Sequence, residues 1–212
     1  MLTLHYYPGN ASLAPHMVLE ELGVPYALEL VDRTQGAQNS EGYRRLNPTG
    51  LIPTLVDGDQ PIFETAAILL HLADRFPEAG LMPPVGTRER ALAYQWLIHL
   101  TNTVQPAYIT YYYPDRYSTD PAHAPAVKAA AEQRLNGMFD LLEKALEGKH
   151  YLLGDTVCVA DHMLLMMVRW GRNFAGRPPR TLPNLGAHAA RMVERPAVRQ
   201  AFEREGLAAP WY

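Results

Sequence analysis

The stretch that decides the fold is Ile52–Phe76, which reads IPTLVDGDQPIFETAAILLHLADRF. Two short β-prone runs flank Asp57-Gly58-Asp59, a turn sequence typical of a β-hairpin. Thr65 then opens an unbroken helical run from Ala66 to Phe76. A hairpin followed directly by a helix predicts part of a small sheet with a helix on its face.

The residues before the hairpin continue the alternation of strand and helix signals. Leu2 to Tyr7 is a β-prone run closed by the turn signal Pro8-Gly9, and Leu13 to Leu22 has helical spacing. Tyr26 to Val31 predicts a second strand, and the polar stretch Asp32 to Gly42 predicts a loop or an irregular helix. The order β-α-β-(α)-β-β-α predicts an α/β domain over residues 1–80 with a small mixed sheet.

The chain changes character after Pro77, where a linker runs to Gly86. No convincing strand follows, so we expect an all-α, helical C-terminal domain over residues 87–212. Its predicted helices are Arg88 to Tyr112 with a bend at Pro106, a helix carrying the apolar stripe Val127 to Leu146, Val159 to Phe174, Leu185 to Val193, and Ala197 to Glu205.

Composition narrows the possible functions. Of the 212 residues, 48% are hydrophobic and 19% charged, which is typical of a folded globular protein. The net charge is -3 and the basic residues form no cluster, so neither nucleic acid nor a membrane is expected as a partner. The start resembles no signal peptide and no apolar run spans a bilayer, which favours a cytoplasmic location.

The cysteine and histidine content argues against disulfides and metals. Cys158 is the only cysteine, so an intramolecular disulfide, a Cys-x-x-Cys pair and a cysteine-based zinc site are all excluded. The eight histidines show no metal-ligand spacing, and no metal is expected.

Pro53 is the first candidate site residue, at the start of a predicted strand. A cis peptide bond here would expose the backbone N–H and C=O of Ile52 to an extended peptide ligand. An ordinary trans proline at a strand start is the alternative interpretation.

Glu64 and Thr65 stand at the entry of the helix that begins with Ala66. Thr65 is a natural N-cap, which alone would explain it. The same geometry makes an anion site for a ligand carboxylate, and Glu64 could pair with a ligand ammonium. Together the two residues would suit an amino-acid head group.

Tyr7 to Ser12 connects the first strand to the first helix. The hydroxyl of Ser12 could cap that helix, or it could donate a hydrogen bond to an anion at the helix N-terminus, where thiolates are also favoured. Local sequence leaves both interpretations open.

Four motifs in order make the chain similar to the glutathione S-transferase family along nearly its whole length. The early segment resembles the bacterial beta class most. The motifs are Tyr7-Pro8-Gly9…Ser12-Leu13-Ala14-Pro15-His16, Asn47-Pro48-Thr49-Gly50-Leu51-Ile52-Pro53, Phe63-Glu64-Thr65-Ala66-Ala67-Ile68, and Gly154-Asp155…Val159-Ala160-Asp161.

This resemblance implies a thioredoxin-like first domain with a glutathione site. Ile52, beside a cis Pro53, would pair with the cysteinyl backbone of glutathione, and Glu64 and Thr65 would hold its γ-glutamyl group. Gln38 and Gln35 lie in the region from which members of the family often contact the glycyl end of glutathione.

Three positions depart from the beta class. Ala11 stands where that class has a cysteine, so a mixed disulfide with glutathione cannot form there. Gln105-Pro106 replaces its His-Lys pair. Cys158 replaces the Ser/Thr of the capping box, which predicts that Asp161 supports the turn largely by itself and that Cys158 is a small buried residue.

The expected function is a glutathione transferase that directs the glutathione thiolate at a hydrophobic electrophile or a peroxide. Ser12 is the first candidate to stabilise the thiolate and Asn10 the second. The electrophile would lie against the aromatic run Tyr108 to Tyr113, which could equally be helix packing. A non-catalytic ligand-binding or assembly protein of the same fold is one alternative, and a glutathione-dependent isomerase or dehalogenase is a narrower enzymatic one.

A homodimer is also expected from the resemblance, with the long helix from Arg88 to Tyr112 at the interface. His99 and Asn102 lie one turn apart on that helix, so they could face the partner or its glutathione site.

Overall fold

The hairpin around Asp57-Gly58-Asp59 forms as the sequence predicts. In the structure, a computed structural model that describes all residues 1–212, strand β3 (Thr54–Asp57) pairs antiparallel with β4 (Gln60–Phe63). Strand β1 (Leu2–Tyr6) pairs antiparallel with β3 and parallel with β2 (Tyr26–Leu30). The sheet order is therefore β2-β1-β3-β4, a four-stranded mixed sheet.

Nine α-helices accompany the sheet. Their bounds are α1 (Leu13–Leu22), α2 (Glu41–Leu46), α3 (Thr65–Arg75), α4 (Arg88–His99), α5 (Gln105–Tyr112), α6 (Ala124–Ala145), α7 (Val159–Trp170), α8 (Pro183–Glu194) and α9 (Pro196–Arg204). No helix is both long and apolar enough to cross a membrane.

Contacts divide the chain into two units. The first contains residues 1–84 and 192–211, and the second contains residues 85–191 with Tyr212. By their contacts, residues 192–211 thus group with the α/β unit, and the domain bounds 1–80 and 87–212 remain a prediction from sequence. The physical reason for this grouping is that α9 packs on α1, and Arg195, the residue just before α9, donates from Nη2 to Oε2 of Glu21 at 2.8 Å.

The first unit is held together by apolar side chains from the sheet and from α1 and α3. Leu4 and Leu55 of the sheet, Met17 of α1 and Leu72 of α3 are all completely buried. The stretch Asp32 to Gly42, expected to be a loop or an irregular helix, forms two single turns of 3-10 helix and the start of α2.

The second unit is helical, and its first long helix is interrupted just before Pro106. Between α4 and α5, residues Leu100–Val104 form a π-helical segment. Proline has no N–H and its ring collides with the carbonyl of the preceding turn, so the chain widens locally to pass it. The bend predicted at Pro106 therefore takes the form of a wider turn.

Helix α7 is the buried helix of the second unit, as its apolar sequence predicts. Every residue from Val159 to Arg169 is buried. Asp161 accepts hydrogen bonds from the backbone N–H groups of Cys158 at 2.8 Å and Leu152 at 2.9 Å, and His188 Nε2 lies 3.0 Å away. Burial acts to raise the pKa of Asp161, but His188 and the two N–H groups bring that pKa below its ordinary value.

Cys158 is an inert residue of this core. Its thiol is buried, and burial, together with the neighbouring Asp161, raises its pKa well above the ordinary value. A thiol in that state is mostly protonated at neutral pH and is a poor nucleophile. The expectation of a small buried residue is confirmed.

Candidate functional site

Three segments meet at one edge of the sheet in the first unit. Thr54, the first residue of β3, lies opposite His5 near the end of β1 and opposite Phe63 at the end of β4. The segment before Thr54, the loop after β1 and the entry of α3 after Phe63 therefore leave the sheet at the same edge. These segments carry nearly all the site residues predicted from sequence.

Ile52 presents free backbone groups at this edge. Its bond to Pro53 is cis, as one of the two interpretations of the sequence required. Neither the N–H nor the C=O of Ile52 makes a hydrogen bond within the chain. The side chain packs in an apolar cluster with Val31 and Tyr43, so the residue itself is fixed while its backbone stays available.

Glu64 is the only residue other than glycine with a positive φ, at φ 74° and ψ 118°. A side chain in this region of φ/ψ space is strained, and such residues persist where the surrounding structure imposes them. Glu64 is the N-cap of α3, yet its side chain makes no capping hydrogen bond and no ion pair. An exposed carboxylate without a partner therefore stands at the start of α3.

Thr65 is not the N-cap that the sequence suggested; it is the first residue of α3. Its hydroxyl is buried and donates to the carbonyl of Ala11 at 3.2 Å, which ties α3 to the loop after β1. The first hydrogen bond of the helix runs from Ile68 N–H to Glu64 C=O. The N–H groups of the first turn are consequently not used inside the helix and point out of its positive end.

Ser12 is neither a cap nor an available donor. Its completely buried hydroxyl donates to the carbonyl of Tyr7 at 3.1 Å and accepts from the N–H of Tyr7 at 3.2 Å. Ser12 occupies the N-cap position of α1, but its side chain makes no capping hydrogen bond. The hydroxyl thus connects the end of the loop to its start at Tyr7. This structural role differs from both roles considered from sequence, a helix cap and a donor to an anion.

Asn10 is better placed than Ser12 to donate to a ligand. It is half-buried, and its Oδ1 accepts from the N–H of Ala11 at 2.8 Å. That bond turns the amide nitrogen, which has no partner in the chain, away from Ala11.

Gln38 lies on the single helical turn Ala37–Asn39. Its side-chain oxygen is buried without a hydrogen-bond partner. A Cβ at Gly50 would lie only 3.2 Å from the carbonyl oxygen of Gln38, so this turn abuts the segment that leads to Ile52. An orphaned polar atom beside that segment fits a ligand contact.

The aromatic run of the second unit divides into packed and exposed rings. Tyr108 and Tyr111 are buried, and the hydroxyl of Tyr108 donates to the carbonyl of Met167 at 2.6 Å. Tyr112 is exposed and Tyr113 is half-buried. Helix packing is thus the role of the first two rings, and only the last two present surface.

Glu205, which is not among the residues predicted from sequence, holds the loop after β1 from the other end of the chain. Its Oε2 accepts from the N–H of Gly9 at 2.7 Å, and its Oε1 lies 2.8 Å from Nδ1 of the buried His16. No local pattern distinguishes such a glutamate from a solvent-exposed one at the end of a helix.

A mixed four-stranded sheet with helices, followed in the chain by an all-helical unit, is the architecture of a thioredoxin-like domain with an additional helical domain. Comparison with family models identifies the group within that class. Residues 11–75 match the model of the glutathione S-transferase N-terminal domain, and residues 101–196 match that of the C-terminal domain. The chain belongs to the glutathione S-transferase family.

Individual relatives match over almost the whole chain. Glutathione S-transferase GstA of Escherichia coli O157:H7 is 31% identical over 97% of this chain and 100% of its own. The solved structure of a sphingomonad glutathione S-transferase complexed with glutathione is 32% identical, with a TM-score of 0.84, covering 97% and 100% of the two chains. The bacterial beta class enzyme of Sphingomonas chungbukensis gives the same identity, TM-score and coverage.

Proposed function

We propose that this protein is a glutathione transferase, which binds the tripeptide, stabilises its thiolate and directs it at a hydrophobic electrophile or a peroxide. The observation that carries the proposal is that three unused groups lie at the same edge of the sheet. They are the free carboxylate of Glu64, the N–H groups of the first turn of α3 and the backbone of Ile52. Membership of the family and the glutathione bound to its sphingomonad relative support the same ligand.

The tripeptide fits these groups from one end to the other. The γ-glutamyl ammonium would pair with Glu64, and its carboxylate would lie at the positive end of α3. The cysteinyl backbone would exchange hydrogen bonds with Ile52, as an added strand does. The unpartnered oxygen of Gln38 would accept the N–H of the glycyl residue.

Asn10 is the proposed thiolate donor, in place of Ser12. The hydroxyl of Ser12 is committed to the main chain of Tyr7, whereas the amide nitrogen of Asn10 is free. A hydrogen bond to sulfur favours the thiolate over the thiol and lowers the thiol pKa. Ala11 supplies no thiol for a mixed disulfide, so the bound thiolate is the reacting group.

The second unit would supply the surface for the electrophile, with the exposed ring of Tyr112 and the half-buried ring of Tyr113. The proposed assembly is a cytoplasmic homodimer built on α4. Two apolar side chains of that helix, Tyr94 and Ile98, are exposed at 38% and 51% in the single chain. They are four residues apart and so lie on one face of α4, and apolar side chains left exposed on one face fit an interface with a second copy.

Equilibrium binding and turnover test this proposal. We expect the protein to bind reduced glutathione and to bind the dipeptide cysteinylglycine, which lacks the γ-glutamyl group, at least about tenfold more weakly. It should also conjugate glutathione to an activated aryl chloride. Equal affinity for the two peptides would contradict the proposed site, and tight glutathione binding without conjugation or peroxidase activity would favour the non-catalytic alternative.

A further inference from the structure

The carbonyl group of Leu51 is held by two buried donors that the proposed chemistry does not use. The hydroxyl of Tyr43 donates to it at 2.6 Å, and Nδ2 of Asn47 donates to it at 2.8 Å. Tyr43 is 6% exposed and Asn47 is 1% exposed. A carbonyl that receives two buried hydrogen bonds cannot rotate without leaving both donors unsatisfied.

This clamp also fixes the N–H of the next residue. The C=O of Leu51 and the N–H of Ile52 belong to one planar peptide group, and in a trans peptide the two bonds point in opposite directions. The bond between Leu51 and Ile52 is trans. Because Tyr43 and Asn47 hold the carbonyl, they aim the N–H of Ile52, which has no partner in the chain, to the opposite side.

Both donors are themselves held in place. Oδ1 of Asn47 accepts from the N–H of Thr49 at 3.1 Å and from its hydroxyl at 2.7 Å, which turns Nδ2 toward Leu51. The ring of Tyr43 packs against Val31, and its oxygen lies 3.0 Å from the hydroxyl of Thr54. Burial raises the pKa of Tyr43, so its hydroxyl stays protonated and remains a donor at neutral pH.

We propose that Tyr43 and Asn47 are positioning residues for substrate binding, which orient the Leu51–Ile52 peptide so that the N–H of Ile52 meets the cysteinyl carbonyl of glutathione. The inference rests on the glutathione site proposed above. Neither side chain touches the ligand in this arrangement; each acts through the peptide group that does.

The test compares Tyr43→Phe with Thr54→Val. Tyr43→Phe keeps the ring and removes the bond to Leu51, whereas Thr54→Val removes the other hydroxyl contact of Tyr43 and leaves the clamp intact. Losing the clamp bond should raise the dissociation constant of glutathione by about five- to tenfold. The KM for glutathione should rise equally, with kcat at saturating glutathione and the KM for the electrophile unchanged. Thr54→Val should bind glutathione as the wild type does.

A second readout follows the peptide group directly. In the wild type, glutathione should slow hydrogen exchange at the Ile52 amide. In Tyr43→Phe, the decrease in the logarithm of the exchange rate on adding glutathione should be at most half of the decrease in the wild type. Asn47→Asp, which keeps the oxygen toward Thr49 but removes the donor, should behave like Tyr43→Phe or worse. It serves as the test if Tyr43→Phe does not fold.

The outcomes separate this inference from the proposed function. The positioning role alone would be overturned if the wild type binds glutathione and Tyr43→Phe binds it with the same affinity. It would also be overturned if Tyr43→Phe and Thr54→Val lose equal affinity for glutathione. A wild-type protein that does not bind glutathione at millimolar concentration would overturn the proposed function and this inference together.

Discussion

Replacing Glu64 with glycine should move stability and ligand affinity in opposite directions. Glu64 has φ 74°, a conformation that costs a side-chain-bearing residue about 1–3 kcal/mol and glycine almost nothing. Glycine gives back about 0.5–1 kcal/mol because it makes the unfolded chain more flexible. The side chain makes no capping bond and no ion pair, so its loss costs no contact. The free energy of unfolding should therefore rise by about 1 kcal/mol.

The same substitution removes the carboxylate proposed to hold the γ-glutamyl ammonium. Losing a charge-assisted hydrogen bond costs about 1.5–3 kcal/mol, so the dissociation constant of glutathione should rise roughly ten- to hundredfold. Glu64→Ala is the matched control, since it removes the same carboxylate but keeps a Cβ in the strained conformation. It should lose the same affinity without the gain in stability.

Two measurements decide the matter: denaturant unfolding of the ligand-free protein and calorimetric titration with glutathione. Backbone strain at Glu64 is refuted if Glu64→Gly is no more stable than Glu64→Ala. The assignment of the carboxylate is refuted if both variants bind glutathione like the wild type. A purely structural role for Glu64 predicts loss of stability in both variants, which is the opposite of the expected result.

Three further predictions concern the thiolate, the dimer and the buried carboxylate. Asn10→Ala should raise the pKa of the bound glutathione thiol by about one unit, read from thiolate absorbance against pH, while Ser12→Ala should shift it less and instead lower the free energy of unfolding by about 1–3 kcal/mol. Ile98→Glu should produce monomers in sedimentation at micromolar concentration, whereas Leu141→Glu, at a similarly exposed position on α6, should leave the dimer intact. A monomeric wild type would contradict the proposed assembly. The pKa of Asp161 is lowered by folding, so its stabilisation is complete above the unfolded carboxyl pKa of about 3.9 and is lost as pH falls through its lower folded pKa. Unfolding of Asp161→Asn should therefore depend less on pH below about pH 4, and an unchanged slope would refute this.

The elements that sequence predicted well are those with local signals. Turn chemistry and apolar periodicity act within a few residues, so local sequence is enough to predict three elements. They are the turn at Asp57-Gly58-Asp59, the helix Leu13–Leu22 and the buried helix that begins at Val159. For the π-helical segment before Pro106, the sequence predicts only a bend. A proline ring that collides with the carbonyl of the preceding turn can be accommodated by a kink or by a wider turn, and the sequence signal is the same for both.

The side-chain roles at the site were harder to predict, because they depend on partners far along the chain. Thr65 and Ser12 were both natural caps by sequence, yet the hydroxyl of Thr65 reaches Ala11 and that of Ser12 reaches Tyr7. The grouping of residues 192–211 with the first unit likewise has no local signal in the sequence. It rests on contacts such as that of Glu205 with Gly9, which are 196 residues apart in sequence.

The departures from local rules occur together at one edge of the sheet. Glu64 combines a strained backbone with a carboxylate that has no partner, Ile52 has an unused N–H, and Gln38 has a buried side-chain oxygen without a partner. The strain at Glu64 and the orphaned oxygen of Gln38 each lower the stability of the free protein, and neither is relieved by a contact within the chain. Folding alone would favour a glycine, a paired N–H and an apolar side chain at these positions. On the proposed function, the ammonium of a ligand would pair with the carboxylate of Glu64, its peptide backbone with the N–H of Ile52, and a further amide with the oxygen of Gln38. These three groups together are the chemistry of a tripeptide with an amino-acid head group.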